Sequence, residues 1–117
     1  MNLHDVARHL DLTDLTPDID AQKTGEVEGA HASDLLSDVL ANAPVNGVLV
    51  TLQSHMNVVA VAAHAGLAGI IFSSGRKPDH AVLKKAAEEK IPLFTTKDTT
   101  FDVAGKLYAL GLRGKRL

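Results

Sequence analysis

Three short apolar runs recur at a fixed interval, and each is closed by hydroxyl residues. Gly47-Val48-Leu49-Val50-Thr51-Leu52, Gly69-Ile70-Ile71-Phe72-Ser73-Ser74 and Ile91-Pro92-Leu93-Phe94-Thr95-Thr96 begin 22 residues apart. Runs without polar alternation suit strands that are covered on both faces, the situation in a parallel sheet. The segments 57–65, 79–90 and 100–110 are each long enough for one helix, so the pattern predicts a βαβαβα run. Upstream, Leu3, Val6, Ala7 and Leu10 fall at helical spacing and predict a short amphipathic helix over residues 3–12. Residues 11–24, rich in Asp and Thr around Pro17, read as a weak strand followed by a loop, and residues 27–32 as a short edge strand.

The punctuation agrees with these elements. Ser33 is the expected N-cap of a helix carrying Leu35, Leu36, Val39, Leu40 and Ala43, with Asp34 in its first turn and Pro44 and Asn46-Gly47 closing it. Asp79 follows Pro78 as an N-cap, Thr99 and Asp102 make a capping box, and Gly66 and Gly111 stand where C-terminal caps belong. The expected fold is α/β: a single compact domain with a mainly parallel sheet, an N-terminal helix and short edge strands. Val58, Val59, Ala60, Val61, Ala62 and Ala63 make one helix apolar on every side. Such a helix must be enclosed by the sheet and a neighbour, or by a second subunit. With little chain to cover both sheet faces, this reading favours a homodimer.

Composition narrows the class. At 117 residues with 45% hydrophobic and 22% charged content, the chain is one ordinary domain with a core, neither a disordered tail nor a multidomain enzyme. No apolar stretch approaches the ~18 residues of a membrane span. Met1-Asn2-Leu3-His4-Asp5 lacks the layout of a secretion signal, so the expected location is the cytoplasm. The absence of cysteine removes disulfides, thiolate metal sites and cysteine nucleophiles together. Phe72, Phe94, Phe101 and Tyr108 are the only aromatics, too few to stack successive bases. The net charge of −2 conceals a balance of −7 over residues 1–40 and +5 over residues 41–117. Either the two halves offset each other across the surface, or the second half holds an anion site.

In open parallel sheets, ligands bind beyond the carboxyl ends of the strands, where helix N-termini present N–H groups. The repeat places three clusters there: Gln53-Ser54-His55-Met56-Asn57, Ser74-Gly75-Arg76-Lys77 and Thr96-Lys97-Asp98-Thr99. The candidate ligand contacts are accordingly Gln53, Ser54, His55, Asn57, Ser74, Gly75, Arg76, Lys77, Thr96 and Asp98, a set suited to phosphate or carboxylate. The bland alternative is that these loops are polar because they are exposed caps and turns. His55 is the best single candidate for a general base or a ligand contact. His4, His9, His31, His64 and His80 are scattered without a zinc-binding spacing, and no metal or other cofactor is expected. Asp34 and Asp38 lie one turn apart and offer a shared cation site, or simply two dipole partners. Residues 112–117 read as a basic C-terminal tail following a domain of residues 1–111. Arg113-Gly114-Lys115-Arg116 has no interleaved aromatic to suggest nucleic acid. The phosphate loop G-x-x-x-x-G-K-[ST], the dinucleotide loop G-x-G-x-x-G and the G-x-S-x-G elbow do not occur.

The stretches Gly29-Ala30-His31-Ala32-Ser33-Asp34-Leu35-Leu36-Ser37-Asp38-Val39, residues 53–62 and Gly69-Ile70-Ile71-Phe72-Ser73-Ser74-Gly75-Arg76-Lys77-Pro78-Asp79 resemble the stand-alone DRTGG-domain proteins of bacteria. The likeness runs over residues 3–111, and its most specific parts are S-D-L-L-S-D-V and G-R-K-P-D. The naming pentapeptide does not occur verbatim; the resemblance sets Ser73-Ser74-Gly75 against its Thr-Gly-Gly. The family is similar to the N-terminal domain of HPr kinase/phosphorylase. Related domains accompany CBS domains in regulated pyrophosphatases and precede the catalytic part of some phosphate acetyltransferases. The resemblance therefore implies a compact, often dimeric α/β module that accompanies catalytic domains, and the kinase part has no counterpart here.

The leading expectation is a non-catalytic regulatory or sensory domain that binds a small anionic metabolite or nucleotide, or docks to a partner enzyme. One alternative is a small enzyme acting on a phosphorylated substrate, with His55 as base, Asp98 as its partner and Arg76 and Lys77 holding phosphate. Another is a pure assembly subunit joined through the apolar helix, which Val59→Asp would break.

Overall fold

The computed structural model describes residues 1–23 and 25–116. Its elements are α1 (Leu3–Leu10), β1 (Thr13–Asp14), a 3-10 turn (Ala21–Lys23), β2 (Gly29–Ala32), α2 (Leu36–Asn42), β3 (Gly47–Thr51), α3 (Asn57–Ala65), β4 (Gly69–Phe72), α4 (His80–Glu89), β5 (Leu93–Thr95) and α5 (Thr100–Ala109). They form one five-stranded sheet of order β1-β5-β4-β3-β2, parallel throughout except for the short antiparallel β1. The expected α/β class, the repeat and the edge position of β2 all hold.

Strand order decides where the helices go. The parallel strands advance in one direction from β2 to β5, and right-handed crossovers then place successive helices on the same face. Thus α2, α3 and α4 pack with Leu49, Ile70, Phe72 and Leu93. On the other face, α1 and α5 pack with Val48, Val50, Ile71 and Phe94. Every residue of β3, β4 and β5 is buried, the reason their sequences are continuously apolar.

The same layout explains α3. It lies between α2 and α4 with the sheet beneath, burying Val58, Val59 and Ala62 and leaving Ala60 exposed. Its apolar flanks are thus used within the chain, and the need for a second subunit to cover it falls away. Val59 is fully buried, so Val59→Asp strikes the core and not an interface.

At the opposite end of the strands, close approach selects glycine. Gly47 pairs with Gly29, and a Cβ on Gly47 would sit 2.8 Å from both the Pro44 ring and the Pro44 carbonyl.

The start of α2 differs from expectation. Ser33 does not cap the helix: its Oγ accepts from Leu35 N–H at 3.2 Å, and the helix begins only at Leu36. Asp34 is drawn away because its Oδ1 accepts from Thr51 Oγ1 at 2.9 Å and from Leu52 N–H at 2.7 Å, tying the end of β2 to the end of β3. Asp38 pairs instead with His31 Nε2 at 2.7 Å and Asn42 Nδ2 at 2.8 Å. The two carboxylates therefore serve different partners and do not converge on a cation.

Hydrogen bonds from Asn42 first, then from His31 and Ser33, hold the Asp38 carboxyl down from 3.8 to about 2. A depressed carboxyl adds stability that is complete above its unfolded value and vanishes as pH falls through the folded one. Melting temperatures between pH 6 and 2 should therefore fall less steeply in Asp38→Asn than in the native chain over the interval from 3.8 to about 2. Parallel curves would show that the His31–Asp38 pair contributes nothing to folding.

Candidate functional site

The strand ends that carry the predicted contacts are built from buried hydroxyls. Thr51, Ser73 and Thr95, the residues that close the three apolar runs, are buried polar groups with partners. Thr51 donates to Asp34, as above. Ser73 Oγ lies 2.6 Å from Thr100 Oγ1 at the start of α5, and Thr95 Oγ1 donates to the Arg76 carbonyl at 2.6 Å. The recurrent hydroxyls thus fasten one loop to the next and are not free to meet a ligand.

All ten predicted contacts lie on the loops or helix starts after β3, β4 and β5, but they fall into two groups. In the first, Ser74 N–H donates to the Asp98 carbonyl at 2.7 Å and Gly75 N–H to the Thr96 carbonyl at 2.8 Å, which joins the β4–α4 and β5–α5 loops. Ser74 and Gly75 have φ of 56° and 72°, and Arg76 N–H closes the turn on the Ser73 carbonyl at 3.1 Å. Two left-handed residues in succession demand glycine or a residue that tolerates that region. A Cβ on Gly75 would meet nothing within 4 Å, so Gly75→Ala carries only the conformational cost. It should lower unfolding free energy by about 1 kcal/mol in a denaturant titration.

In the second group, Gln53, Ser54 and His55 line a cavity of about 420 Å³ together with Met56, Asp79, Ala81 and Val82. His55 Nδ1 accepts from Asn57 N–H at 3.2 Å, and its carbonyl accepts from Val58 N–H at 3.0 Å, so this loop caps α3. The starts of α4 and α5 are likewise occupied. Asp79 accepts from Val82 N–H on α4 and Thr99 from Asp102 N–H on α5, both at 3.2 Å. The helix N-termini that the sequence offered as anion receptors are therefore capped by this chain's own side chains. The sheet also has no reversal of strand order, and so none of the crevice that such a reversal opens.

What remains for an anion is side-chain charge. Arg76, Lys77 and Lys97 are exposed on the two joined loops and make no ion pair with a described residue. The nearby acid Asp98 is neutralised by Lys106 Nζ at 2.5 Å, and this contact raises the Lys106 pKa. The first group is consequently the cationic one, whereas the His55 cavity has the Asp79 carboxylate in its wall. Among the described residues no hydrogen bond or ion pair joins His55 to Asp98. The base–acid pair needed by the small-enzyme alternative is thus replaced by Asn57–His55 and Lys106–Asp98 contacts. No group of three or more metal-ligating side chains converges among the described residues.

Sequence reasoning missed two features. A cavity of about 650 Å³ opens at the other end of the sheet, lined by Asp18, Ile19, Asp20, Asn46, Leu67, Ala68, Ala87 and Lys90. No spacing in the chain announces it, because its walls come from four separated segments. Past α5, Leu112 is buried and the Arg113 carbonyl accepts from Ala30 N–H at 2.9 Å on β2. Leu117, within the predicted tail, lies outside the described residues. No helix is long and apolar enough to cross a membrane among the described residues.

No curated protein matches the sequence. Among solved structures, the CBS and DRTGG domains of the regulatory region of Clostridium perfringens pyrophosphatase, complexed with the activator diadenosine tetraphosphate, align with a TM-score of 0.71 at 13% identity. The alignment covers 95% of this chain and 47% of that one, so the chain spans about half the length of its structural neighbour. At that identity the likeness speaks for the fold. The DRTGG-domain profile matches residues 27–110, from the lead-in to β2 through the end of α5, and the chain belongs to the DRTGG-domain family.

Proposed function

We propose that the chain is a non-catalytic regulatory domain of the cytoplasm that binds a small anionic metabolite or nucleotide at the carboxyl edge of its sheet and signals occupancy to a partner enzyme. The observation that carries the reading is the set of three exposed cations, Arg76, Lys77 and Lys97, without an ion pair among the described residues, on loops locked together by the Ser74–Asp98 and Gly75–Thr96 hydrogen bonds. A rigid pair of loops holds its charges at small entropic cost, so an arriving phosphate meets a preorganised receptor. Ser74, Gly75 and Thr96 supply the backbone beside those cations, and Gln53, Ser54, His55 and Asn57 form the neighbouring wall. Membership of the DRTGG family and the regulatory, nucleotide-bound character of the pyrophosphatase region support the regulatory part.

The test is a thermal-shift screen against nucleotides, diadenosine tetraphosphate among them, acyl phosphates and phosphorylated metabolites. A ligand at about 100 times its dissociation constant adds about 2.7 kcal/mol of stability. For a domain of this size, that is a rise of roughly 10 °C. A rise of that size, lost in Arg76→Ala, is the expected result; a flat screen would overturn the ligand-binding reading. Light scattering on the same sample gives the oligomeric state, which the enclosure of α3 by α2 and α4 leaves free to be monomeric.

A further inference from the structure

The outer edge of β2 carries a second surface, remote in sequence from the cationic loops. Ser33 N–H donates to the Val50 carbonyl at 3.1 Å, so residues 29, 31 and 33 turn their backbone polar groups toward β3, and Ala30 and Ala32 turn theirs outward. Ala30 N–H is met by the Arg113 carbonyl, and Ala32 N–H has no partner among the described residues. Beside this open edge, a slot of about 140 Å³ separates β2 from α5, with Ala30, Ala32, Ala104, Leu107, Tyr108 and Leu112 among its lining. Its floor is apolar and its walls are alanine methyls, so it has room for one branched aliphatic side chain. Along the rim, Phe101 is 85% and Tyr108 61% exposed, two helical turns apart on the same side of α5. At one end the Arg113 guanidinium stacks 3.5 Å over the Tyr108 ring and Arg116 is exposed beyond it, while Lys115 Nζ turns across the edge to donate to the Ala41 carbonyl of α2 at 3.3 Å.

A strand edge left open at Ala32, with a helix alongside and an apolar slot between them, is the geometry by which an extended peptide adds a strand. Backbone bonds then supply affinity, and alternate side chains supply selectivity. The Arg113 carbonyl already occupies the place an incoming strand would take against Ala30. We infer that β2 and α5 receive an extended segment of a partner protein, with an aliphatic residue in the slot and carboxylates facing Arg113 and Arg116. Charge complementarity selects this occupant over a basic or neutral one. A second copy paired through its own β2 fits poorly, since Gly29-Ala30-His31-Ala32 brings no aliphatic side chain larger than a methyl. The inference stands apart from the anion reading: its surface and its probe are different, so either can fail alone.

The experiment is fluorescence anisotropy of the full chain with fluorescein-labelled Glu-Glu-Thr-Val-Leu-Val and its Lys-Lys-Thr-Val-Leu-Val counterpart. The acidic peptide should bind saturably, and the basic one at least tenfold more weakly. Ala32→Pro removes the outward N–H while sparing the ladder to β3, and proline is accepted on edge strands. Its melting should match the native chain, with acidic-peptide affinity down at least tenfold. Should Ala32→Pro fail to fold, Ala104→Glu, which places a carboxylate in the slot, must produce the same loss. Absence of peptide binding at millimolar concentration, equal binding by the variants, or native self-association that Ala32→Pro abolishes would each overturn the inference, the last by seating a second copy on β2.

Discussion

Phe72→Ala should lower unfolding free energy by about 3–5 kcal/mol, the loss seen when a buried aromatic leaves a cavity that its surroundings cannot fill. Phe72 is fully buried at the end of β4, in the cluster that binds α3 and α4 to the sheet through Val58, Ala62, Val82 and Leu93. Three crossover helices rest on that face, so none can move inward without disturbing the others. A domain of ordinary stability has about 5–15 kcal/mol in total, so the variant should be barely folded at 37 °C. Phe101→Ala is the matched control, since Phe101 is 85% exposed. Its effect on stability should stay within about 0.5 kcal/mol. Urea titrations of the two variants that gave similar losses would contradict the layer assignment of both residues.

The second large effect concerns binding. Replacing Arg76, Lys77 and Lys97 together by glutamine should weaken anion affinity at least a hundredfold while leaving the melting temperature of the free domain almost unchanged. A hydrogen bond to a charged group contributes about 1.5–3 kcal/mol, so loss of even two such contacts reaches that factor. Stability is spared because none of the three side chains makes an ion pair with a described residue, and removing like charges relieves mutual repulsion. Lys106→Gln probes the same loops indirectly. It leaves Asp98 uncompensated beside the loops, so anion affinity should fall. Calorimetric titration with ATP reads both variants. Unchanged affinity in the triple variant would remove the carboxyl-edge loops from consideration.

Much of the architecture was legible because its causes are local. Unbroken apolar runs every 22 residues report strands covered on both faces, and Asp79, Thr99 and Gly66 mark helix ends through bonds that span four residues or fewer. The misreadings involve partners distant in sequence. Asp34 looked like a first-turn helix acid, but its carboxylate is claimed by Thr51 and Leu52, 17 and 18 residues away. Hydrophobicity marked α3 as enclosed without saying by what; strand order supplies α2 and α4. The pairing of Thr13 with Thr95 and the bond from Leu93 N–H to Thr16 Oγ1, 77 residues apart, left no periodic trace in so short a strand. At the candidate loops, position along the repeat placed the residues at the strand ends, while their bonding left no local trace. Asp98 is neutralised by Lys106, and the helix starts are already capped.

The proposed anion site lies between the β4–α4 and β5–α5 loops. Amide chemical shifts of the 15N-labelled chain, followed while ATP and then inorganic phosphate are added, test it residue by residue. Saturable shifts are expected on Ser74, Gly75, Arg76, Lys77 and Lys97, with those of Asp18, Asp20 and Lys90 at the far end of the sheet unmoved. Shifts centred on the far-end cavity, or none on the two loops at millimolar ligand, would contradict it.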